Sequence, residues 1–154
     1  MNRALLIVDV QKCFTKNAPD AFIKRIESIQ DKYSSVFISR YYNHDDSPFI
    51  KHLNWQVCMK DSEEFQLAFT PDKEAIVFDK TTYSSLHEDM KIYDEIHICG
   101  LETDACILKT ALDLFENNIR PVILSDLCFS NGGVSLHRMA LDVLKRNIGE
   151  EQVC

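Results

Sequence analysis

The sequence predicts an α/β fold: three layers, doubly wound, with a mostly parallel sheet of five or six strands flanked by helices. Short runs rich in Val, Ile and Leu recur at residues 4–8, 36–38, 75–78, 96–99 and 122–124, as suits strands buried on both faces. Helical periodicity fills the gaps between them. Strand and helix therefore alternate, which implies right-handed crossovers within one sheet.

Taken in order, Ala4 to Val8 is the first strand and runs directly into Asp9. Phe22, Ile26, Ile29 and Tyr33 step by four, three and four, marking one face of the first helix. Phe37-Ile38-Ser39-Arg40 ends the second strand. The stretch 41–71 carries two prolines, several aromatics and no clean periodicity, and long irregular loops of this kind often serve as lids or substrate walls. Ala75 to Phe78 is a third strand leading into Asp79 and Lys80. Ser85 followed by Glu88 has the spacing of a capping box before a shorter helix with Leu86 and Met90. A fourth strand closes at Gly100. Ile107, Ala111, Leu114 and Phe115 then mark a helix, as do Leu136, Ala140, Val143 and Leu144 after the fifth strand. A sixth strand near Gln152 to Cys154 is weakly signalled. With no repeat, low-complexity tract or linker, residues 1–154 are expected to form a single domain.

The bulk numbers exclude several classes. A net charge of -7 with no basic cluster argues against a nucleic-acid partner. Apolar runs of about five residues fall far short of the ~20 that a membrane helix needs. The opening segment is too short for a signal peptide, and Asp9 and Gln11 stand where a cleavage site should be. The expectation is a cytoplasmic protein acting on a small molecule. The six cysteines form no C-x-x-C pair and no zinc-finger spacing, so free thiols in a reducing compartment are expected.

Three charged or nucleophilic residues each follow a separate strand, the pattern of a site along one sheet edge. Cys106 lies in Gly100-Leu101-Glu102-Thr103-Asp104-Ala105-Cys106, where a strand gives way to a helix. A thiol in a first helical turn meets the positive end of the dipole, which favours the thiolate, although a buried, inert thiol is the ordinary fate of a free cysteine. Asp9 suits a base that takes the thiol proton and returns it to a leaving group, although an aspartate after a strand commonly just caps a loop. Lys80 at the same edge would stabilise both anions; a solvated lysine is its ordinary alternative. Gln11 is placed to orient Asp9 or a substrate. Tyr41 and Trp55 either line a pocket or cover the core. His97 alternates with Ile96 and Ile98 and reads as packed beside the sheet, and His137 as a hydrogen-bonded structural histidine.

These segments together resemble the isochorismatase-like cysteine hydrolases, the superfamily that includes nicotinamidases, N-carbamoylsarcosine amidase and ureidoacrylate amidases. Leu6-Ile7-Val8-Asp9-Val10-Gln11 resembles the family's opening strand, and Lys80 with Tyr83-Ser84 its lysine segment. Gly100 to Ile107, continued by Thr110-Ala111-Leu112-Asp113, resembles its nucleophile turn and helix. Ser125-Asp126 and Ser130-Asn131-Gly132-Gly133 with His137 resemble its closing strand, loop and helix. The resemblance implies a cysteine-dependent amidase with an Asp9–Lys80–Cys106 triad, a thioester intermediate and an oxyanion hole from the N–H groups of Glu102 and Cys106. It also implies a cis peptide between Leu101 and Glu102, a site shaped by Trp55, and a homo-oligomer, dimer or tetramer. Glu102 departs from the small or apolar residue many relatives carry there, and a carboxylate beside the thiol would repel an anionic substrate.

No organic cofactor is implied. Nicotinamidases carry an Asp-x-His metal motif after the second strand; Tyr41 and Asn43 occupy the matching positions here. His44, Asp45, Asp46 and His52 are candidate ligands by type, but their spacing does not reproduce that motif, so no metal is expected. Two alternatives stand beside the amidase. One is a vinyl-ether hydrolase of isochorismate type, which does not need a thiol. The other is a non-catalytic binding or oligomerisation module on the same fold.

Overall fold

The computed structural model describes residues 1–154. Five strands, β1 (Arg3–Val8), β2 (Val36–Tyr41), β3 (Ile76–Lys80), β4 (Glu95–Leu101) and β5 (Arg120–Phe129), form one sheet in the order β3-β2-β1-β4-β5, with every neighbouring pair parallel. Parallel pairing follows from the crossover segments between consecutive strands.

The sheet has two buried faces because side chains alternate along each strand. On β1, Ala4, Leu6 and Val8 point to one side, where they join Ile96, Ile98, Ile107, Leu114 and Leu144. That side is covered by α3 (Leu108–Glu116) and α4 (Val134–Ile148). Leu5 and Ile7 point to the other side and join Phe22, Ile26, Val36, Ile38 and Leu127, with Phe22 and Ile26 supplied by α1 (Asp20–Ile29). Truncating one of the fully buried leucines to alanine is expected to cost about 2–5 kcal/mol.

The strand order reverses direction between β1 and β4, which creates a crevice at their carboxyl ends. There the two strands come unusually close. Gly100 has φ 117°, and a Cβ on it would lie 2.2 Å from the Val8 carbonyl oxygen. Only glycine satisfies both the positive φ and the close approach.

Several expectations need correcting. The run Ala75 to Phe78 reads as buried on both faces, yet β3 is an edge strand with Ile76 and Val77 each about 40% exposed. Residues 152–154 make no sixth strand; Val153 forms a single parallel bridge with Ile123. Strand β5 continues past Leu124 to Phe129 through a register shift opposite Ile98 and Gly100. Ser85 caps nothing: the short 3-10 segment Glu88–Ile92 takes His87 as its N-cap. Within 41–71 lies a short helix, α2 (Pro48–Leu53), started by Ser47 accepting from the Ile50 N–H, with Pro48 in its first turn. Finally, Cys13 and Cys58 are joined in a disulfide, with their Cα atoms 5.6 Å apart across a separation of 45 residues. The spacing of cysteines in sequence holds no record of that proximity. Four cysteines stay free.

Candidate active site

Asp9 follows β1 with φ 50°, a left-handed conformation that aspartate tolerates better than most residues. Its carboxyl group is 1% exposed and accepts a hydrogen bond on Oδ1 from Ser39 Oγ at 2.8 Å. Ser39 Oγ also meets Ser85 Oγ at 2.9 Å, and the Asp9 N–H donates to the Ser39 carbonyl at 3.2 Å.

Lys80 ends β3, one strand further out, and its side chain reaches back over β2. Its Nζ lies 2.9 Å from Asp9 Oδ2 as a buried ion pair. The ammonium also donates to the carbonyls of Thr82 at 2.8 Å and Tyr83 at 2.9 Å. Those two carbonyls take two of its three donors. The pair is close but not aligned as a hydrogen bond, so buried Oδ2 keeps an unused acceptor.

Cys106 sits in a π turn, Thr103–Ile107, immediately before α3 rather than in the first turn of α3 itself. Such turns recur at functional positions. The thiol is 8% exposed and interacts with both Asp9 and Lys80. Here the structure corrects the sequence reading. Burial pushes the thiol well above its ordinary range, the negative charge of Asp9 pushes the same way, and Lys80 pulls back without prevailing. At rest the group is a neutral thiol beside a carboxylate.

The turn is held from α4 and the β5–α4 loop. Thr103 Oγ1 bonds His137 Nδ1 at 2.8 Å, and Ser130 Oγ donates to Asp104 Oδ1 at 2.5 Å. Burial and Arg138 lower the His137 pKa, so the ring is neutral near pH 7. The Leu101–Glu102 peptide is cis, and the Glu102 N–H has no acceptor within the protein.

A cavity of about 480 Å³ opens onto Cys106. Its walls include Phe14, Tyr41, Phe49, Trp55, Tyr83 and Glu102. The rings contact one another: Phe14 stacks on Trp55 at 5.9 Å, and Phe49 meets Tyr41 at 5.2 Å and Tyr83 at 5.0 Å edge-on. Tyr41 is 3% exposed and its hydroxyl has no hydrogen-bond partner.

The structure thus brings Asp9, Lys80, Cys106, Glu102, Tyr41 and Trp55 together. Gln11 is different. Its carboxamide is fully buried, donating to the carbonyls of Tyr41 and Phe65 at 2.8 Å each and accepting from the Tyr41 N–H at 2.7 Å. It pins loops behind the site and does not line the cavity. His44, Asp45, Asp46 and His52 lie exposed on the surface, and no three metal-ligating side chains converge anywhere. Asn43 is instead a buried hub, donating to the Trp55 and Val57 carbonyls and accepting from Ser47 Oγ and the His44 N–H.

Sequence reasoning passed over Ser39 and Asn131. A lone serine closing the apolar run Val36-Phe37-Ile38 was the available signal for Ser39, which the structure buries completely. Asn131 donates from its N–H and Nδ2 to the two Glu102 oxygens, at 2.6 and 2.5 Å, and from Nδ2 to the Phe14 carbonyl at 2.8 Å. Nothing local announced those partners.

No helix is long and apolar enough to cross a membrane. Known structures share this architecture. The nicotinamidase of Bacillus subtilis superposes with a TM-score of 0.84 at 21% identity, covering 100% of this chain and 99% of that one. N-carbamoylsarcosine amidase from Thermoplasma acidophilum gives 0.79 at 20% identity, covering 99% and 95%. At these identities the likeness is one of fold. Among curated proteins, isochorismatase domain-containing protein 2 of Bos taurus is 46% identical over 37 residues, 24% of this chain and 18% of its own length. Isochorismatase family protein 1A of Dictyostelium discoideum is 36% identical over 78 residues, 41% of this chain and 36% of its own. These matches therefore span well under half of either relative. The family model for the isochorismatase domain, by contrast, matches residues 3–152, and the chain belongs to the isochorismatase family.

Proposed function

We propose that residues 1–154 act as a single isochorismatase-like hydrolase domain that cleaves an amide-type C–N bond of a small molecule through Cys106. The observation that carries this reading is the convergence of a buried carboxylate–ammonium pair on a thiol at the floor of an aromatic cavity.

The chemistry follows from the geometry. Asp9 takes the Cys106 proton as sulfur attacks the carbonyl carbon, forming the C–S bond. Lys80 offsets the charge while the proton is in transit. The Glu102 N–H, free of any protein acceptor, and the Cys106 N–H receive the developing oxyanion. Asp9 then delivers its proton to the departing nitrogen and the C–N bond breaks, leaving a thioester. A water deprotonated by Asp9 attacks that thioester. The C–S bond breaks, the acid leaves, and the proton returns to sulfur.

Trp55 and Tyr41 contact the substrate in this scheme, and no resident metal or organic cofactor is called upon. A homo-oligomer, dimer or tetramer, is supported by Phe115, Val134 and Met139, each exposed by half or more. Cytoplasmic residence is supported by the four free thiols; the Cys13–Cys58 bridge is then of the transient or redox-sensitive kind such compartments permit.

One observation favours a second reading, a non-catalytic binding module on the same fold: the buried thiol is held protonated. The two readings part on covalent capture. With a reactive aryl ester or activated amide, wild type should show a burst of leaving group and gain the acyl mass on Cys106 alone. Asp9→Asn should lose at least a hundredfold in that rate. Absence of acylation at Cys106 under both reagents would sink the hydrolase reading.

A further inference from the structure

The walls of the cavity are unbalanced in charge. Glu102 is the one carboxylate among the lining residues, and Lys16 the one cation. Lys16 is already paired, its Nζ 2.5 Å from Glu64 Oε1, with a side chain 61% exposed at the rim. Behind the thiol, Asp9 is neutralised by Lys80.

Glu102 has no such counter-charge. Both its oxygens are met by neutral donors of Asn131, the backbone N–H on one and Nδ2 on the other. Burial raises the Glu102 pKa, and the two Asn131 hydrogen bonds pull the other way, toward the ionised, acceptor-only form. The same Asn131 amide is held in place by the Phe14 carbonyl and by Asn17, whose Nδ2 donates to Asn131 Oδ1 at 3.2 Å. The negative charge is thus fixed in position by a built network rather than left on a mobile side chain.

Around it stand five aromatic rings, Phe14, Tyr41, Phe49, Trp55 and Tyr83. Ring faces attract cations through their quadrupole, most strongly where water is excluded. A fixed carboxylate within an aromatic cavity is complementary to an ammonium group and repels a carboxylate.

We infer that the cavity is selective for amides that also carry a cationic ammonium group, with Glu102 and the aromatic wall as the specificity-determining elements. This rests on the amidase reading for the identity of the bond, but the charge preference itself is a property of the cavity.

The test uses three para-substituted probes: para-trimethylammonio-benzamide, its neutral isostere para-tert-butylbenzamide, and the anionic para-carboxybenzamide. The chain has one tryptophan, Trp55, and it lines the cavity. Its fluorescence therefore reports ligand entry without requiring turnover. In wild type the cation is expected to bind on the order of tenfold tighter than the tert-butyl probe, with the anion weakest. In Glu102→Gln the cation-to-neutral ratio should fall to within about twofold and the anion should gain. Phe49→Leu, which leaves the carboxylate in place, should lower the same ratio severalfold and serves as the second variant should Glu102→Gln fold poorly.

Tighter binding of the neutral or anionic probe to wild type, or a ratio that neither substitution changes, overturns the inference. Ammonia release from the same three compounds separates this from the amidase reading. Cation-selective binding with no release from any probe leaves the charge preference standing and counts against the hydrolase. Release from all three at equal rates and equal affinities does the reverse.

Discussion

Lys80 Nζ and Asp9 Oδ2 are 2.9 Å apart, with side chains 7% and 1% exposed, although the two residues come from strands that do not touch. The lysine passes over the end of β2, and the aspartate is steadied by Ser39 from that same intervening strand. A buried pair of this kind is costly to break, because the surviving charge is left uncompensated in a poor solvent.

Lys80→Ala should therefore lower unfolding free energy by about 3–5 kcal/mol, read by urea denaturation. The double substitution Asp9→Asn with Lys80→Met removes both charges and should recover a large part of that loss. A double variant no more stable than Lys80→Ala alone would show that the pair is not energetically coupled.

The protonated state of Cys106 sets its response to alkylating agents. Because burial and Asp9 raise the thiol pKa, iodoacetamide should label Cys106 more slowly at pH 7–8 than an ordinary exposed thiol, and the rate should still be climbing with pH above 9. Asp9→Asn removes a charge that holds the proton and should quicken labelling at fixed pH. Lys80→Ala should slow it. Peptide mass spectrometry resolves the site.

The same shift has a thermodynamic counterpart. Burial raises the thiols of Cys99, Cys106 and Cys128 from an ordinary value of 9.0. The folded chain then binds more protons than the unfolded one once pH exceeds that value. Stability is full below about pH 9 and should be lost as pH rises further, by up to about 1.4 kcal/mol per pH unit for each buried thiol. Urea midpoints at pH 7 and pH 10 measure it; equal midpoints would contradict the burial of these groups.

Tyr41 presents an unpartnered hydroxyl in a nearly closed environment. Leaving a buried hydroxyl unsatisfied costs about 1–3 kcal/mol. Tyr41→Phe should therefore hold or raise thermal stability while weakening ligand binding, a split that a purely structural tyrosine would not produce. Calorimetry and Trp55 fluorescence titration read the two halves.

The Cys13–Cys58 bridge ties the loop carrying Phe14 to the loop following Trp55. Denatured without reductant, the oxidised chain should titrate four thiols per molecule rather than six. Reduction should cost about 2–4 kcal/mol through the released chain entropy. Six thiols before reduction would rule the bridge out.

Much of the architecture was legible in the chain. Strand and helix positions follow from local periodicity, and Asp9, Lys80 and Cys106 each stand just beyond an apolar run, which places them at the carboxyl edge of a parallel sheet. Where the reading failed, the missing information was relational. Ala75 to Phe78 looks like a central strand because composition records apolarity, not which strand lies beyond it. Gln11 sits two residues from Asp9, but its amide is taken up by Tyr41 and Phe65, 30 and 54 residues away.

The sequence alone determined the fold class, the order of its elements and the three residues at the edge, because each depends on neighbours within a few positions. Tertiary structure decided the rest. It set the reach of Lys80 across β2, the burial that keeps Cys106 a thiol, the joining of Cys13 to Cys58, and the clasp of Asn131 on Glu102. Each of these depends on desolvation or contact between segments distant in the chain, and those quantities exist only once the sheet has assembled.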